Sequence, residues 1–487
     1  MAEPRPNILW LCSDQQRWDT IGRLGNPHIQ TPTLDALAAE GTAFRRAYTQ
    51  SPICTPSRAS MLTGRYPASH GVYRNGNAAF PVHETLVTRT LADAGYDCGL
   101  VGKLHLSAAK KYEHRPDDGY RVFHWSHRPE PDAARGDDYE SWLRFDKRVD
   151  PEELYRSVSG FCGPGVPAAL SQTTWCAEMA LRFIEDRRDT PWLLSVNFFD
   201  PHAPFDAPPE FLSQVDPNAL PPPLWRDSDA GRWRDFEHVD QQQVRPRDPR
   251  LRLGERSGSN LGAHEDFAAN VPDAYDALEV KANYYAMIQQ IDAQVARLVE
   301  ALRRTGQLEN TIVLYHSDHG EQLGDHGLIL KGCRFFDGLV RVPMLWAWPG
   351  RIRPALESEA LVELVDIAPT LLEAAGLPQP WQMQGRSLLP ILDGRADPAR
   401  HKSHVVSEFW DSITGSDHTH GSMVFDGRWK SVVYHGHSIG EIFDQDADPG
   451  EFDNLWPDTA LRADRLKVHL DALAATVSAG PPRVLDY

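Results

Sequence analysis

Cys54-Thr55-Pro56-Ser57-Arg58 sets a thiol and a guanidinium four positions apart, around a proline able to open a helix. Gly64 can end that helix. Cys54 is therefore expected just before the first turn, where free amides and the helix dipole favour an anion. Arg58, one turn on, can fall on the same face and neutralise charge there. Four further polar clusters each follow a short apolar run: Asp14, Lys103 with His105, Asp200 with His202, and Asp318 with His319. Such groups can hold a cation, move protons and neutralise an oxyanion. Taken singly, Asp14 reads as a strand-end turn residue and His319 as a capping or core histidine. Their joint placement argues for a site.

The elements that would position these groups alternate. Asn7–Ser13, Asp97–Gly102, Trp192–Phe199 and Thr311–His316 read as buried strands. Thr33–Glu40, Thr85–Ala94, Thr174–Arg187 and Ala277–Arg304 read as helices, three of them stopped by Gly41, Gly95 and Gly306. This pattern predicts an α/β fold, a large mostly parallel sheet sandwiched by helices, with sites gathered at the carboxyl ends of its strands. Residues 203–270 read as a long irregular excursion. After about residue 395 short strands (His404–Trp410, Gly421–Val433, Glu441–Asp444) and a helix near Ala460–Leu473 predict a smaller α+β subdomain with an antiparallel sheet. The expected division is 1–395 for the catalytic domain and 396–487 for the subdomain.

The chain has 487 residues with 50 Lys+Arg against 68 Asp+Glu, a net charge of −18. A field of that sign repels nucleic acid and anionic membranes, so any anion handled must meet a local positive cluster. No apolar run approaches the ~20 residues that cross a bilayer. The first residues, MAEPRPNILWLCSDQQ, lack a basic start and cleavage site, which predicts a cytoplasmic protein. The six cysteines form no CxxC pair and are expected to stay free thiols.

With its flanks, SPICTPSRASMLTGR, the C-x-P-x-R pattern resembles the signature of the type I sulfatases, in the alkaline phosphatase superfamily. The resemblance runs along nearly the whole chain, through Asn7–Asp14, Gly102-Lys103-Leu104-His105, Asp200-Pro201-His202, SDHGEQLGDHGLILK (Ser317–Lys331) and FDQDADPGEFDNL (Phe443–Leu455). It implies a sulfatase fold and hydrolysis of a sulfate monoester by a formylglycine that a maturase makes from Cys54. A hydrated aldehyde offers two hydroxyls, one to bind a metal and attack sulfur, the other to expel sulfate. The resemblance also implies one divalent metal held by Asp14, Gln15, residue 54, Asp318 and His319. Oxygen donors favour Ca²⁺, or Mg²⁺, and the imidazole admits Mn²⁺. Here the chain departs from the common animal pattern of two aspartates followed by Asp-Asn.

By the same resemblance Lys103 and Lys331 grip sulfate oxygens. Lys331 or His202 protonates the leaving alcohol, and His105 accepts a proton as sulfate leaves. Asn75 aligns with a position that lines the substrate pocket. His70 and His326 read as structural. Trp410 and His435 to His437 are open for the pocket, and Asp417–His420 reads as a solvated loop. Two alternatives stand beside the sulfatase. One is a formylglycine-dependent phosphonate monoester or phosphodiester hydrolase, whose relatives tend to carry neutral hydroxyl side chains where this chain has Lys103 and His105. The other is a non-catalytic sulfoglycan-binding protein. Expected partners are a small-molecule or sugar sulfate ester and the maturase. The tail 481–487 reads as an exchanged arm of a homo-oligomer or as a frayed end.

Overall fold

The computed structural model describes residues 4–109, 112–129, 136–156, 158, 160–236, 239, 248–250, 276–413 and 419–476. The tail 481–487, most of the second half of the 203–270 excursion and Asp417 and His418 lie outside these.

The strands are β1 (Asn7–Ser13), β2 (Thr42–Tyr48), β3 (Asp97–Gly102), β4 (Val122–Trp125), β5 (Trp192–Asn197), β6 (Thr311–Ser317), β7 (Arg341–Val342), β8 (Met344–Ala347), β9 (Leu356–Glu363), β10 (Val405–Trp410), β11 (His420–Phe425), β12 (Trp429–Tyr434) and β13 (Gly440–Asp444). The first nine form one sheet in the order β4-β3-β5-β1-β6-β8-β2-β7, with β9 on β2. From β4 to β6 every pairing is parallel, while β8 runs antiparallel to β6 and β2. The last four form a separate antiparallel sheet.

Side chains alternate across a strand, and both faces of β1 are buried. Ile8, Trp10 and Cys12 pack with Ala59, Met61, Leu91 and Leu371 on one face. Leu9 and Leu11 pack with Leu37, Trp175, Phe183, Ile291 and Leu298 on the other. Helices Cys54–Thr63, Val87–Asp93 and Ile367–Ala374 thus cover one side, and Pro32–Glu40, Gln172–Glu185 and Ala277–Arg304 the other. The longest helix starts where Asp276 accepts the amides of Leu278 and Glu279. It buries Tyr284, Ile288, Val295 and Leu302 along one stripe. A third cluster, with Tyr48, Ile53, Phe335, Phe409, Met423 and Tyr434, ties the small sheet to the large one.

Residues 204–236 of the excursion carry short helical turns, Pro209–Leu212, Pro217–Ala219, Asp229–Arg232 and Trp233–Phe236. They pack against the body through Phe205, Leu220, Trp233 and Phe236. Several expected boundaries move: Gly421–Val433 divides into β11 and β12, the Thr85–Ala94 helix spans Val87–Asp93, and Cys54 is the first residue of its helix, not the residue before it, with Ile53 as the cap. Pro56 then sits in the first turn, where its missing N–H costs no helical bond.

Candidate active site and metal centre

Parallel β3, β5, β1 and β6 are neighbours, so their carboxyl ends bring Lys103, His105, His202, Asp14, Asp318 and His319 to one place. The Cys54–Thr63 helix points its first residue at them. Cys54 Sγ lies 3.1 Å from His319 Nε2, 3.8 Å from Asp14 Oδ1 and 2.9 Å from Lys331 Nζ. Lys103 Nζ is 3.9 Å away, and the His105 ring faces the thiol. All of these residues but the half-buried His202 are buried, Asp14, Asp318 and His319 completely. The sulfur marks the place of an aldehyde oxygen were residue 54 converted.

The strand ends are shaped for close approach. At Gly102 φ is +98°, and a Cβ there would stand 2.0 Å from Asn197 O. Only glycine lets β3 turn against β5 at this point. Asn197 then donates to Lys103 O at 2.8 Å. Gln15 (φ +70°) and His105 (φ +56°) sit in the left-handed region, a strained conformation that clusters at functional sites. Glu113 holds the His105 amide at 2.8 Å.

Asp14, Cys54, Asp318 and His319 each offer a ligand atom within 4.8 Å of the others. Donors of one ion at roughly 2.0–2.6 Å can be no more than about 5 Å apart, so this set fits a single cation. His319 Nδ1 faces Gly320 O at 2.8 Å, which turns the Nε2 lone pair toward the centre. Gln15 reaches the same place: its Oε1 accepts from Lys331 Nζ at 2.8 Å, and its amide nitrogen is held by Glu321. Arg58 is fully buried. Its Nε donates to Asp318 Oδ2 at 2.8 Å, Nη2 to Asp14 Oδ2 at 3.4 Å and Nη1 to Lys103 O at 2.9 Å. It therefore braces both carboxylates and the Lys103 turn.

Electrostatics favour an anion at position 54. Burial works against the Cys54 thiolate, but Lys103, Lys331 and His319 outweigh it and hold the thiol well below its ordinary value. Lys103 Nζ pairs with Asp14 Oδ2 at 2.5 Å. Burial and Lys103 push His105 down to about 4, so it is neutral and able to accept a proton. Burial and Lys331 likewise lower His202, whose Nδ1 faces Ala203 O at 2.6 Å and whose Nε2 lies 2.9 Å from Lys331 Nζ.

Asn75 Oδ1 accepts from the Thr55 amide at 3.0 Å, and its own amide donates to Ser412 O at 2.9 Å, tying the helix start to the small sheet's loop. His70 lies elsewhere, between Ser60 Oγ and the Val72 amide. His326 stacks on Phe336. Trp410 packs on Tyr73, and His435 bonds Ser422. Glu113, Glu321 and His127 carry or touch the site and went unread in the sequence. Glu321, three residues after Asp318, had a positional signal; the other two sit in loops without one.

The family model described as Sulfatase matches residues 6–377, and that of the N-sulphoglucosamine sulphohydrolase C-terminal region matches residues 324–475. An arylsulfatase of Clostridium perfringens is 30% identical over 93% of this chain and 90% of its own. A choline-sulfatase of Rhizobium meliloti is 29% identical over 93% and 83%. Among solved structures, a phosphonate monoester hydrolase from Silicibacter pomeroyi superposes with a TM-score of 0.79 at 25% identity, covering 96% of this chain and 95% of that one. With a family match over three-quarters of its length, the chain belongs to the sulfatase family, in the alkaline phosphatase superfamily.

Proposed function

We propose that the protein hydrolyses a sulfate monoester, using formylglycine made from Cys54 and one divalent metal. The observation that carries this reading is the ring of cationic and imidazole groups on one buried residue: Lys103, Lys331, His105, His202 and His319 around Cys54. This is the local positive cluster that a chain of net charge −18 needs for an anion.

Asp14, Gln15, Asp318 and His319 would hold the metal, with Ca²⁺ first by its oxygen donors and Mn²⁺ admitted by the imidazole. When bound, the metal and the hydrated aldehyde supply an oxygen nucleophile at neutral pH. The chain's own side chains do the rest. Arg58 keeps the two carboxylates in place. Lys103 and Lys331 neutralise the oxygens of the bound anion. Lys331 and His202, in contact with each other, form the acid for the leaving alcohol. His105, held neutral, takes a proton in the release step. Asn75, on the first amides of the helix, would face the alcohol part.

The likeness to a phosphonate monoester hydrolase keeps that activity as the second reading. Lys103 and His105 weigh against it, because the relatives with that chemistry tend to carry hydroxyl side chains there. Mass spectrometry of the peptide holding residue 54, then a panel of sulfate and phosphonate monoesters, tests both. Conversion of Cys54 with faster sulfate turnover is expected. Faster phosphonate turnover selects the second reading, and an unconverted thiol from a maturase-containing host removes both.

A further inference from the structure

One imidazole at the site has no task in this scheme. β4 ends at Trp125, in register with Gly102 of β3, and the Ser126 amide donates to Gly102 O at 3.2 Å. The parallel pairing therefore delivers His127 to the same end of the sheet as Lys103 and His105. Its ring meets that of His105 edge-on, with centroids 4.5 Å apart. The charged and titratable groups facing it are His105, Lys103, Cys54 and His202, all of them site residues.

The segment is fixed without using that ring. Trp125 Nε1 donates to Glu113 Oε2 at 3.0 Å, the oxygen that also holds the His105 amide. Ser126 Oγ accepts from Gln172 Nε2 at 2.9 Å, and Gln172 Oε1 accepts the Phe199 amide at 3.2 Å. The His127 ring, by contrast, is half-buried, its Nδ1 is enclosed without a hydrogen-bond partner, and no protein group among the described residues bonds it. Buried polar atoms in native proteins nearly always have partners, so an orphan beside a nucleophile points to a missing ligand.

The surroundings narrow that ligand. Burial, then His105 and Lys103, keep the His127 ring neutral. A neutral imidazole offers one donor and one acceptor, the complement of a hydroxyl rather than of an anion or an ammonium group. Lys103 and Lys331 already serve the tetrahedral anion, and the His127 ring contacts His105. The same lysines oppose a cationic alcohol part.

We propose that His127 is a specificity-determining residue that hydrogen-bonds a free hydroxyl on the alcohol part of the ester, selecting polyhydroxylated alcohols of the sugar type. This rests on the sulfatase reading above. The test compares wild type, His127→Ala and His127→Phe on a hexose 6-sulfate and on 4-nitrophenyl sulfate, which has no neighbouring hydroxyl. The phenylalanine keeps an aromatic ring against His105. Both variants should lose about 10- to 100-fold in kcat/KM on the sugar ester and stay within about twofold on the aryl ester. Equal losses on both esters would make His127 a brace for His105 and overturn the proposal, as would an unchanged sugar ester. Binding is read separately, by calorimetry of the hexose 6-sulfate on a Cys54→Ala background. There His127→Phe should weaken Kd about 10-fold, and an unchanged Kd also overturns the proposal. Should wild type hydrolyse phosphonates and neither sulfate ester, the sulfatase reading falls, while the binding arm still decides the role of His127.

Discussion

At residue scale, Gln15 would be free to present either end of its amide without Glu321. The Glu321 carboxylate holds the Gln15 nitrogen, and so turns Oε1 toward Lys331 and the proposed cation. Glu321 also receives the Leu323 and Leu330 amides, so its own position is fixed by the loop after β6. Outer-shell partners of this kind commonly set metal affinity by 10- to 100-fold. We expect Glu321→Ala to weaken divalent-metal binding by about that factor, measured by titrating chelator-stripped protein, with little change in the folded spectrum. Unchanged affinity would mean that Gln15 is not a ligand. The same contrast explains what could be read from the chain. Asp14, Lys103, His105, His202, Asp318 and His319 announce themselves because each closely follows an apolar strand. Glu113 and His127 act through contacts made only once loops from different strands meet, and no local spacing encodes that, while Glu321 had only its place three residues after Asp318 to mark it.

At the scale of elements, β3, the long Ala277–Arg304 helix and the alternation of strands with helices were legible from burial period and stop signals. Helix starts were less so. Cys54 is helical because Ile53 is extended and Pro56 fits the first turn, a choice the proline alone leaves open by two residues. The turns Pro209–Leu212 and Trp233–Phe236 were hidden for another reason: they are too short to show a period, and tertiary contacts hold them. The β3 end gives a sharp test of how an element places chemistry. A Gly102→Ala side chain would meet Asn197 O at 2.0 Å in a backbone of φ +98°. We expect a loss of about 3 kcal/mol or more, read from urea midpoints. Activity should fall further than stability accounts for, because Lys103 and His105 follow directly. A variant of wild-type stability and rate would show that the close approach is not needed.

At the scale of the whole molecule, the small sheet is held to the large one by buried charge as well as by aromatic packing. Lys430 Nζ reaches Asp337 Oδ1 at 2.5 Å and Glu451 Oε1 at 2.6 Å, all three buried. Removing the cation leaves Glu451 without a counter-charge and Asp337 with Arg341 alone at 3.3 Å, so Lys430→Met should cost about 3–5 kcal/mol, measured by denaturant unfolding at pH 7. The same attachment makes stability depend on pH in two opposing ways. His469, whose ring nitrogens face Ser422 and Ser431, is held by burial down to about 3 against an ordinary 6.5. Its contribution is whole above pH 6.5 and is lost as pH falls toward 3. Glu408, on β10, is pushed by burial up to about 7 against 4.5, with Trp410 Nε1 and the Ala68 amide opposing. Its contribution is whole below pH 4.5 and is lost as pH rises through 7. Glu408→Gln keeps an oxygen for Trp410 and removes the titration. Relative to wild type, this variant should gain stability between pH 4.5 and 8, by about 3 kcal/mol across the window. A difference that stays flat with pH would show that Glu408 ionises as freely in the folded protein as in the unfolded chain, and the small sheet would then owe none of its pH response to that carboxyl.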